Sequence, residues 1–88
     1  MENVAPEWFN EEKLTNTYDA REMLSGGGHP VEKVLSDLVN FNSGEIYQLI
    51  TPFLPAPLLE KVKAQGFECW TKNESDSEFR NYFYKKQF

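Results

Sequence analysis

The stretch GGGHPVEKVLSDLVNFNSGEIYQLIT, residues 26–51, decides the fold because it carries a turn, a helix, a second turn and a strand. Glycine permits backbone conformations closed to other residues, so its three glycines predict a tight turn before His29-Pro30. Proline is tolerated at the first position of a helix. Apolar residues then recur at the spacing of one helical face, and the helix is expected to end near Val39: Val31, Val34, Leu35 and Leu38.

The second half of this stretch predicts a strand. Asn42-Ser43-Gly44 is a turn signal, and Glu45–Thr51 follows it with Ile46 and Ile50 in phase. Residues 26–51 therefore contribute the first helix and the second strand of the domain.

The remaining elements follow from the same kinds of signal. The Thr and Tyr content of Lys13–Asp19 predicts a first strand, and Ala20–Gly28 is expected to be a loop. The three prolines of TPFLPAP, residues 51–57, exclude a central strand or a helix interior. A second helix is predicted from Pro57 to Gly66, with Leu58, Leu59 and Val62 buried. Two strands with a polar connection between them come next: Phe67–Lys72, Asn73–Ser77 and Phe79–Lys85.

The order βαβαββ predicts an α/β (α+β) two-layer sandwich, with a four-stranded mixed sheet and two helices on one face. The helix-linked strands are expected to run parallel, and the last two to form an antiparallel hairpin. The other sheet face has no helix to cover it and is expected to carry aromatic rings: Tyr47, Trp70, Tyr82 and Tyr84. Either an N-terminal arm, residues 1–12, docks there through Trp8 and Phe9, or the face is a dimer or partner surface.

Composition and charge restrict the class of function. A chain of 88 residues supports one domain, residues 13–88, behind the arm. A net charge of −5 and a pI near 4.8 repel phosphate backbones and anionic membranes, so neither nucleic acid nor a membrane is an expected partner. No apolar run approaches the roughly 20 residues that span a bilayer, and the acidic start is unlike a signal peptide. With one cysteine, these features predict a soluble cytoplasmic protein.

Ligands of parallel α/β units gather at the carboxyl ends of strands, beside the helix starts that follow. The candidate ligand-binding residues at that edge are Asp19, Arg21, Glu22, Gly28, His29, Pro30, Thr51 and Phe53. Amides at the helix start, close to Arg21, could hold an anion, and the helix dipole favours a neutral His29 that ligates a metal. The structural alternatives are a packed connector for His29 and a salt bridge to Asp19 or Glu22 for Arg21.

Catalytic machinery is not predicted. The sequence has no Ser-His-Asp arrangement, no paired metal-ligand spacing and no cofactor motif. A single histidine cannot complete a metal site, although a symmetric dimer could double a set made of His29 with Asp19 or Glu22. Cys69 is expected to be a small buried hydrophobe rather than a reactive thiol.

From Pro6-Glu7-Trp8 onward, the chain resembles a bacterial family numbered 2249 among the domains of unknown function. The strings that carry the resemblance are GGGHPVEKVL, SGEIYQLITPFLPAPLLEKVKAQGFECW and NYFYK. That family is similar in fold to the SirA/TusA-like sulfur carriers, in which Asp-x-Arg-Gly follows the first strand and Cys-Pro opens the first helix. Asp19-Ala20-Arg21 matches the first motif, Glu22 replaces its glycine, and His29-Pro30 stands where Cys-Pro would be.

The resemblance implies the βαβαββ sandwich and a ligand edge around His29. Direct sulfur transfer is disfavoured, because a histidine cannot carry a persulfide. Relatives that occur beside hemerythrin-like and iron–sulfur repair modules imply, by association, metal or nitrogen-oxide biology. The leading hypothesis is a non-enzymatic binding module for a metal, an anion or a protein partner. The alternatives are a sulfur-relay or redox carrier that uses Cys69, and a pure protein-interaction or dimerisation domain.

Overall fold

A computed structural model describes residues 5–28 and 30–85 of the chain. Within these ranges the elements are β1 (Leu14–Asp19), α1 (Arg21–Ser25), α2 (Val31–Val39), β2 (Ile46–Thr51), α3 (Ala56–Ala64), β3 (Phe67–Ser75) and β4 (Glu78–Lys85). A single 3-10 turn, Glu11–Lys13, precedes β1. None of the helices in the described ranges is long and apolar enough to cross a bilayer. The predicted α/β two-layer class is confirmed.

The four strands form one mixed sheet in the order β1-β2-β4-β3. β1 and β2 run parallel, with Asp19 opposite Ile50. β4 runs antiparallel to both of its neighbours, β2 and β3. The parallel pair and the antiparallel hairpin are as expected, and β4 lies between β2 and β3.

Both longer helices begin next to prolines. α2 starts directly after Pro30, as expected, whereas α3 starts at Ala56, one residue before the expected Pro57. The Pro30 carbonyl accepts a hydrogen bond from the Val34 amide at 2.9 Å, which starts α2. Pro55 precedes α3, which starts at Ala56, and its carbonyl accepts from the Leu59 amide at 3.0 Å. Gly66 follows α3 with φ at 93°, a left-handed conformation that favours glycine and ends the helix.

The core lies between the sheet and the helices. Each of the longer helices buries two side chains at helical spacing, Val34 and Leu38 from α2 and Leu58 and Val62 from α3. They meet apolar side chains from the sheet and from the segment after α2: Phe41, Tyr47, Leu49, Phe67 and Phe83. Removal of this apolar surface from water is the main stabilising contribution to the fold.

Tyr47 was expected on the open face of the sheet, and that expectation is wrong. Its ring stacks on Phe83 at 6.0 Å, and its hydroxyl donates to Asp37 of α2 at 2.7 Å, so it faces the helices. Every residue of β2 is buried, including Ile46 on the opposite face. A strand buried on both faces lacks the apolar–polar alternation that would reveal which face each side chain takes.

The other predicted rings do lie on the open face, and the described part of the arm contacts them. Trp8 stacks on Tyr84 with 5.1 Å between ring centroids and 5° between planes. Phe9 meets Trp70 and Tyr82 edge to face at 4.9 and 4.7 Å. Such aromatic pairs contribute beyond the area that they bury.

Two segments differ from the sequence expectation. Residues 20–28 were predicted as a loop, but they contain the short helix α1, in which the Gly26 amide donates to the Glu22 carbonyl at 3.1 Å. The connection predicted over residues 73–77 shrinks to the turn Asp76-Ser77, because Asn73 and Ser75 pair with β4. The side chains of these hairpin residues are exposed and polar, as in a loop, so the sequence did not reveal that their backbone pairs with β4.

A fully buried polar side chain of β4 connects the central strands of the sheet. Asn81 of β4 is fully buried, and its amide donates to the Leu49 carbonyl at 3.0 Å and to the Thr51 hydroxyl at 3.1 Å. Its oxygen accepts from the Thr71 hydroxyl at 2.8 Å. Asn81 therefore links β4 by side-chain hydrogen bonds to both neighbouring strands.

Asn81→Ala is expected to lower the free energy of unfolding by about 2 to 3 kcal/mol, because it leaves buried polar partners without hydrogen bonds. Urea unfolding followed by circular dichroism measures this loss. Asn73→Ala, at an exposed position of β3, is the matched control and should change stability by less than about 0.5 kcal/mol. Equal losses in the two variants would contradict the role assigned to Asn81.

Candidate functional site

The carboxyl ends of β1 and β2 meet at one edge of the sheet, as parallel pairing requires. The buried Ala20, directly after β1, donates its amide to the Ile50 carbonyl of β2 at 2.9 Å. From this edge the chain leaves β1 into α1 and leaves β2 into the proline-rich connector, residues 51–57. The two segments predicted to form a ligand site are therefore neighbours.

Thr51 and Phe53 define how that connector leaves the sheet. Thr51 is fully buried, and its hydroxyl donates to the Phe53 carbonyl at 2.6 Å while accepting from Asn81. This bond closes a tight bend directly after β2. The bend leaves the Phe53 side chain 48% exposed and the following Leu54 side chain 52% exposed.

Gly28 and Pro30 flank the predicted ligand His29, which lies outside the described residues. The Gly28 amide donates to the Met23 carbonyl at 2.8 Å. A Cβ atom at Gly28 would lie 2.6 Å from the Met23 side chain, so the close packing of this turn against α1 favours glycine. Pro30 is buried at the start of α2.

An apolar groove lies between these segments, with a volume of about 150 Å³. The helical side contributes Leu24 of α1, Pro30 and Val31. The connector and the start of α3 contribute Phe53, Pro55, Pro57 and Leu58. Cavities of about this size hold a benzene-sized group, so the groove can accept one apolar side chain.

Asp19 and Arg21 do not face this groove. The Arg21 guanidinium donates to both oxygens of Asp19, at 2.7 Å from Nη2 and 2.9 Å from Nε, and lies 3.4 Å from Glu78 of β4. Arg80 also donates to Glu78, at 2.8 Å. Alternating charges thus run along the open face, and the predicted structural alternative for Arg21, a salt bridge to Asp19, is present.

The hydrogen bond from Arg21 holds the pKa of Asp19 below its usual value. Both side chains are more than 40% exposed, and ion pairs of this kind contribute little to stability. The consequence of these ion pairs is that the guanidinium of Arg21 is engaged by two carboxylates, those of Asp19 and Glu78. Glu22, the third predicted charged residue, is exposed on α1.

The described residues contain no group of three or more His, Cys, Asp or Glu side chains arranged to hold a metal ion. A metal site at His29 therefore stays a prediction that depends on a residue outside those ranges.

Cys69 lies half-buried on the helix side of β3, packed against the core. Burial raises the pKa of its thiol to about 12, and the nearby Lys63 ammonium offsets only part of that effect. A thiol with such a pKa is almost entirely protonated near neutral pH and is a poor nucleophile. This environment agrees with the predicted structural role.

Sequence reasoning missed a polar groove of about 460 Å³ between the start of β1 and the second half of α2. Its polar lining includes Thr15, Asn16, Ser36, Asp37, Asn40 and Glu45. No motif in the sequence connects the polar residues of α2 to β1. The signal in the sequence for this groove was the four-residue spacing of Ser36 and Asn40, which places two polar side chains on the same face of the helix.

Comparison with family models, curated proteins and solved structures finds no match to this chain.

Arg21→Gln is expected to raise the pKa of Asp19 towards its ordinary value, because the charged hydrogen bond that favours its carboxylate is removed. An NMR pH titration of the side-chain carboxyl carbons measures this shift. In the wild-type protein, the stabilising effect of this pair is present above the unfolded-state pKa of Asp19 and is lost as the pH falls through the lower folded-state pKa.

Lys33→Gln provides the control for that titration. Lys33 pairs with Asp37 at 2.9 Å, so its loss should raise the pKa of Asp37 and leave that of Asp19 unchanged. An Asp19 titration identical in the wild-type and Arg21→Gln proteins would show that Arg21 is not engaged as described.

Alkylation of Cys69 by iodoacetamide at pH 8 should be at least tenfold slower in the folded protein than in the chain unfolded in urea, because burial suppresses the thiolate. The folded-state rate should keep rising above pH 9, where the unfolded chain approaches its plateau. Mass spectrometry follows the reaction at this single cysteine. Equal rates in both states would contradict the raised pKa.

Proposed function

We propose that this protein is a non-enzymatic, cytoplasmic binding module of TusA-like fold, and that its ligand is a short apolar segment of a partner protein. The segment binds in the apolar groove between α1, the start of α2 and the proline-rich connector. The observation that carries the proposal is the apolar lining of this groove beside two large exposed side chains, Phe53 and Leu54.

Among the three ligand classes predicted for this edge, a protein segment fits the groove best. The lining residues carry no charged side chain, and Arg21 points to the open face, where Asp19 and Glu78 occupy it. One ligand side chain fits the groove volume, and further apolar contacts come from Phe53, Leu54 and the 39% exposed Met23. Clustered exposed apolar groups of this kind mark interaction sites.

The charge of the protein indicates that the partner segment is basic as well as apolar. Along the chain, each helix around the groove carries an exposed glutamate within two residues of a lining residue: Glu22, Glu32 and Glu60. The helix α3 also carries the exposed Lys61. Lys33, next to Glu32, is paired with Asp37. The net charge of −5 on the chain favours a segment with lysine or arginine beside its apolar side chains.

The other predicted functions have less support. Metal binding depends on His29, and the described residues contain no group of three or more His, Cys, Asp or Glu side chains that could hold the ion. Anion binding was expected close to Arg21, whose guanidinium is engaged by Asp19 and Glu78. A sulfur-relay or redox role for Cys69 is opposed by the burial and the raised pKa of its thiol. We therefore propose the apolar segment as the ligand at this edge.

The test uses a capped synthetic peptide of sequence Lys-Leu-Leu-Lys and follows the amide NMR signals of the protein. Saturable shifts are expected at groove residues such as Val31 and Leu58. Substitution of both exposed connector residues, Phe53→Ser with Leu54→Ser, should weaken binding about fivefold or more, because the peptide loses apolar contact area.

Val39→Ser is the matched control, since Val39 is 71% exposed at the far end of α2, away from the groove, and its loss should leave the affinity unchanged. Peptides Lys-Ser-Ser-Lys and Glu-Leu-Leu-Glu separate the apolar and charge contributions, and both should bind more weakly. Equal shifts with all three peptides, or none at the groove at millimolar concentration, would reject the proposed function.

A further inference from the structure

β3 is an outer strand of the sheet. One of its edges pairs with β4, and no segment in the described ranges pairs with the other. Its pairing with β4 is regular over residues 67–73, and the register shifts only between Asn73 and Ser75. β3 thus presents seven residues of uninterrupted strand edge, with backbone groups available to another strand.

The side chains of this edge form a self-complementary charge pattern. Glu68 and Lys72 lie two residues on either side of Trp70, and the strand alternation places all three on the open face. If a second copy of β3 pairs antiparallel about a twofold axis at Trp70, Glu68 of each copy lies opposite Lys72 of the other. Opposite charges at directly facing positions stabilise antiparallel pairs.

The centre of the charge pattern coincides with the centre of the regular edge, because Trp70 is the middle residue of 67–73. In this register Cys69 faces Thr71 and Phe67 faces Asn73, so neither facing pair combines like charges. Lys72 also contacts Glu74 of its own strand at 3.0 Å, but that pair is exposed and can rearrange at little cost.

The opposite outer strand, β1, lacks these properties. Its pairing with β2 is interrupted between Leu14 and Asn16, and irregularities of this kind protect sheet edges from further pairing. β1 is also shorter and ends at Asp19, which is engaged by Arg21.

We propose that two copies of the chain associate through β3, antiparallel, with the twofold axis at Trp70, so that the two sheets form one continuous sheet. The twofold axis is perpendicular to that sheet, which places the open faces of both copies on the same side. The Trp70 rings, each under the Phe9 of its own arm, then lie next to each other. The apolar groove is at another edge of the domain and stays accessible in the dimer.

Sedimentation equilibrium over micromolar to millimolar protein concentrations tests the association. At about 0.15 M salt the Debye length of ~8 Å screens the overall charge of −5 on each copy and preserves contact pairs. The expected result is a reversible change between one and two chain masses, where one chain is 10.3 kDa.

Charge reversal tests the register. Glu68→Lys and Lys72→Glu each place like charges opposite one another twice in the dimer, and each should raise the dissociation constant about tenfold. The double variant restores opposite charges and should recover most of the affinity. Glu12→Lys and Lys13→Glu make the same charge changes at exposed residues before β1 and should leave the dissociation constant unchanged.

A disulfide reports the register independently of these charges. In a Cys69→Ser background, Glu68→Cys with Lys72→Cys should give a covalent dimer when oxidised glutathione accepts the electrons. The two positions lie about 13 Å apart within one strand, too far for an internal bridge, and neither single cysteine should link two copies.

A monomeric wild-type chain at every concentration would overturn the proposal. So would a dimer whose affinity is insensitive to both single charge reversals, or a double-cysteine protein that stays monomeric on non-reducing gels although circular dichroism shows that it is folded.

Discussion

Every contact between the two halves of the sheet depends on β4, which pairs with β2 along one edge and with β3 along the other. Without it, β3 and β2 would have no common neighbour. The buried side chain of Asn81 also connects β4 to both flanking strands, because its amide group forms hydrogen bonds with residues of β2 and of β3. A buried amide needs all its partners, so it selects one register of the central strand over displaced alternatives.

That central strand also separates two chemically different surfaces. On the helix side, the ends of β1 and β2 lead to an apolar groove. Prolines line this groove, and the hydrogen bond of the buried Thr51 hydroxyl closes the bend beside it. On the other side, alternating charges and aromatic rings occupy the sheet face, and the arm contacts those rings. A ligand in the groove therefore leaves the open face and the outer edge of β3 accessible, so that binding of a partner and pairing of two copies are compatible.

Much of the fold could be predicted from local signals. Pro30 and the apolar spacing from Val31 to Leu38 located α2, and the signals at Pro57 and Gly66 located α3 with its start displaced by one residue. The position of β4 between β2 and β3 is a long-range property that no local periodicity encodes. Tyr47 was misplaced because both faces of β2 are buried, and α1 was missed because five residues before a glycine run are too few to show helical spacing.

The sequence predicted which segments meet at this edge of the sheet, but it did not predict the apolar character of the groove between them. The sequence located the strand ends correctly, since parallel strands must end at the same edge. It grouped Arg21 with Phe53, whereas the guanidinium turns to Asp19 and Glu78 on the opposite face. Side-chain direction after a strand end depends on tertiary partners, and Glu78 is 57 residues away along the chain. The apolar character of the groove likewise required the helix starts and the connector to be brought together.

The stacking of Trp8 on Tyr84 has a spectroscopic consequence. The chain has two tryptophans, Trp8 in the arm and Trp70 in contact with Phe9 of the arm, so its tryptophan fluorescence originates at the open face. The tryptophan emission reports whether the arm contacts the sheet and does not report directly on the helices. The helices instead dominate the far-ultraviolet circular dichroism signal. Denaturation curves from the two signals coincide only if the arm and the sandwich unfold as one cooperative unit.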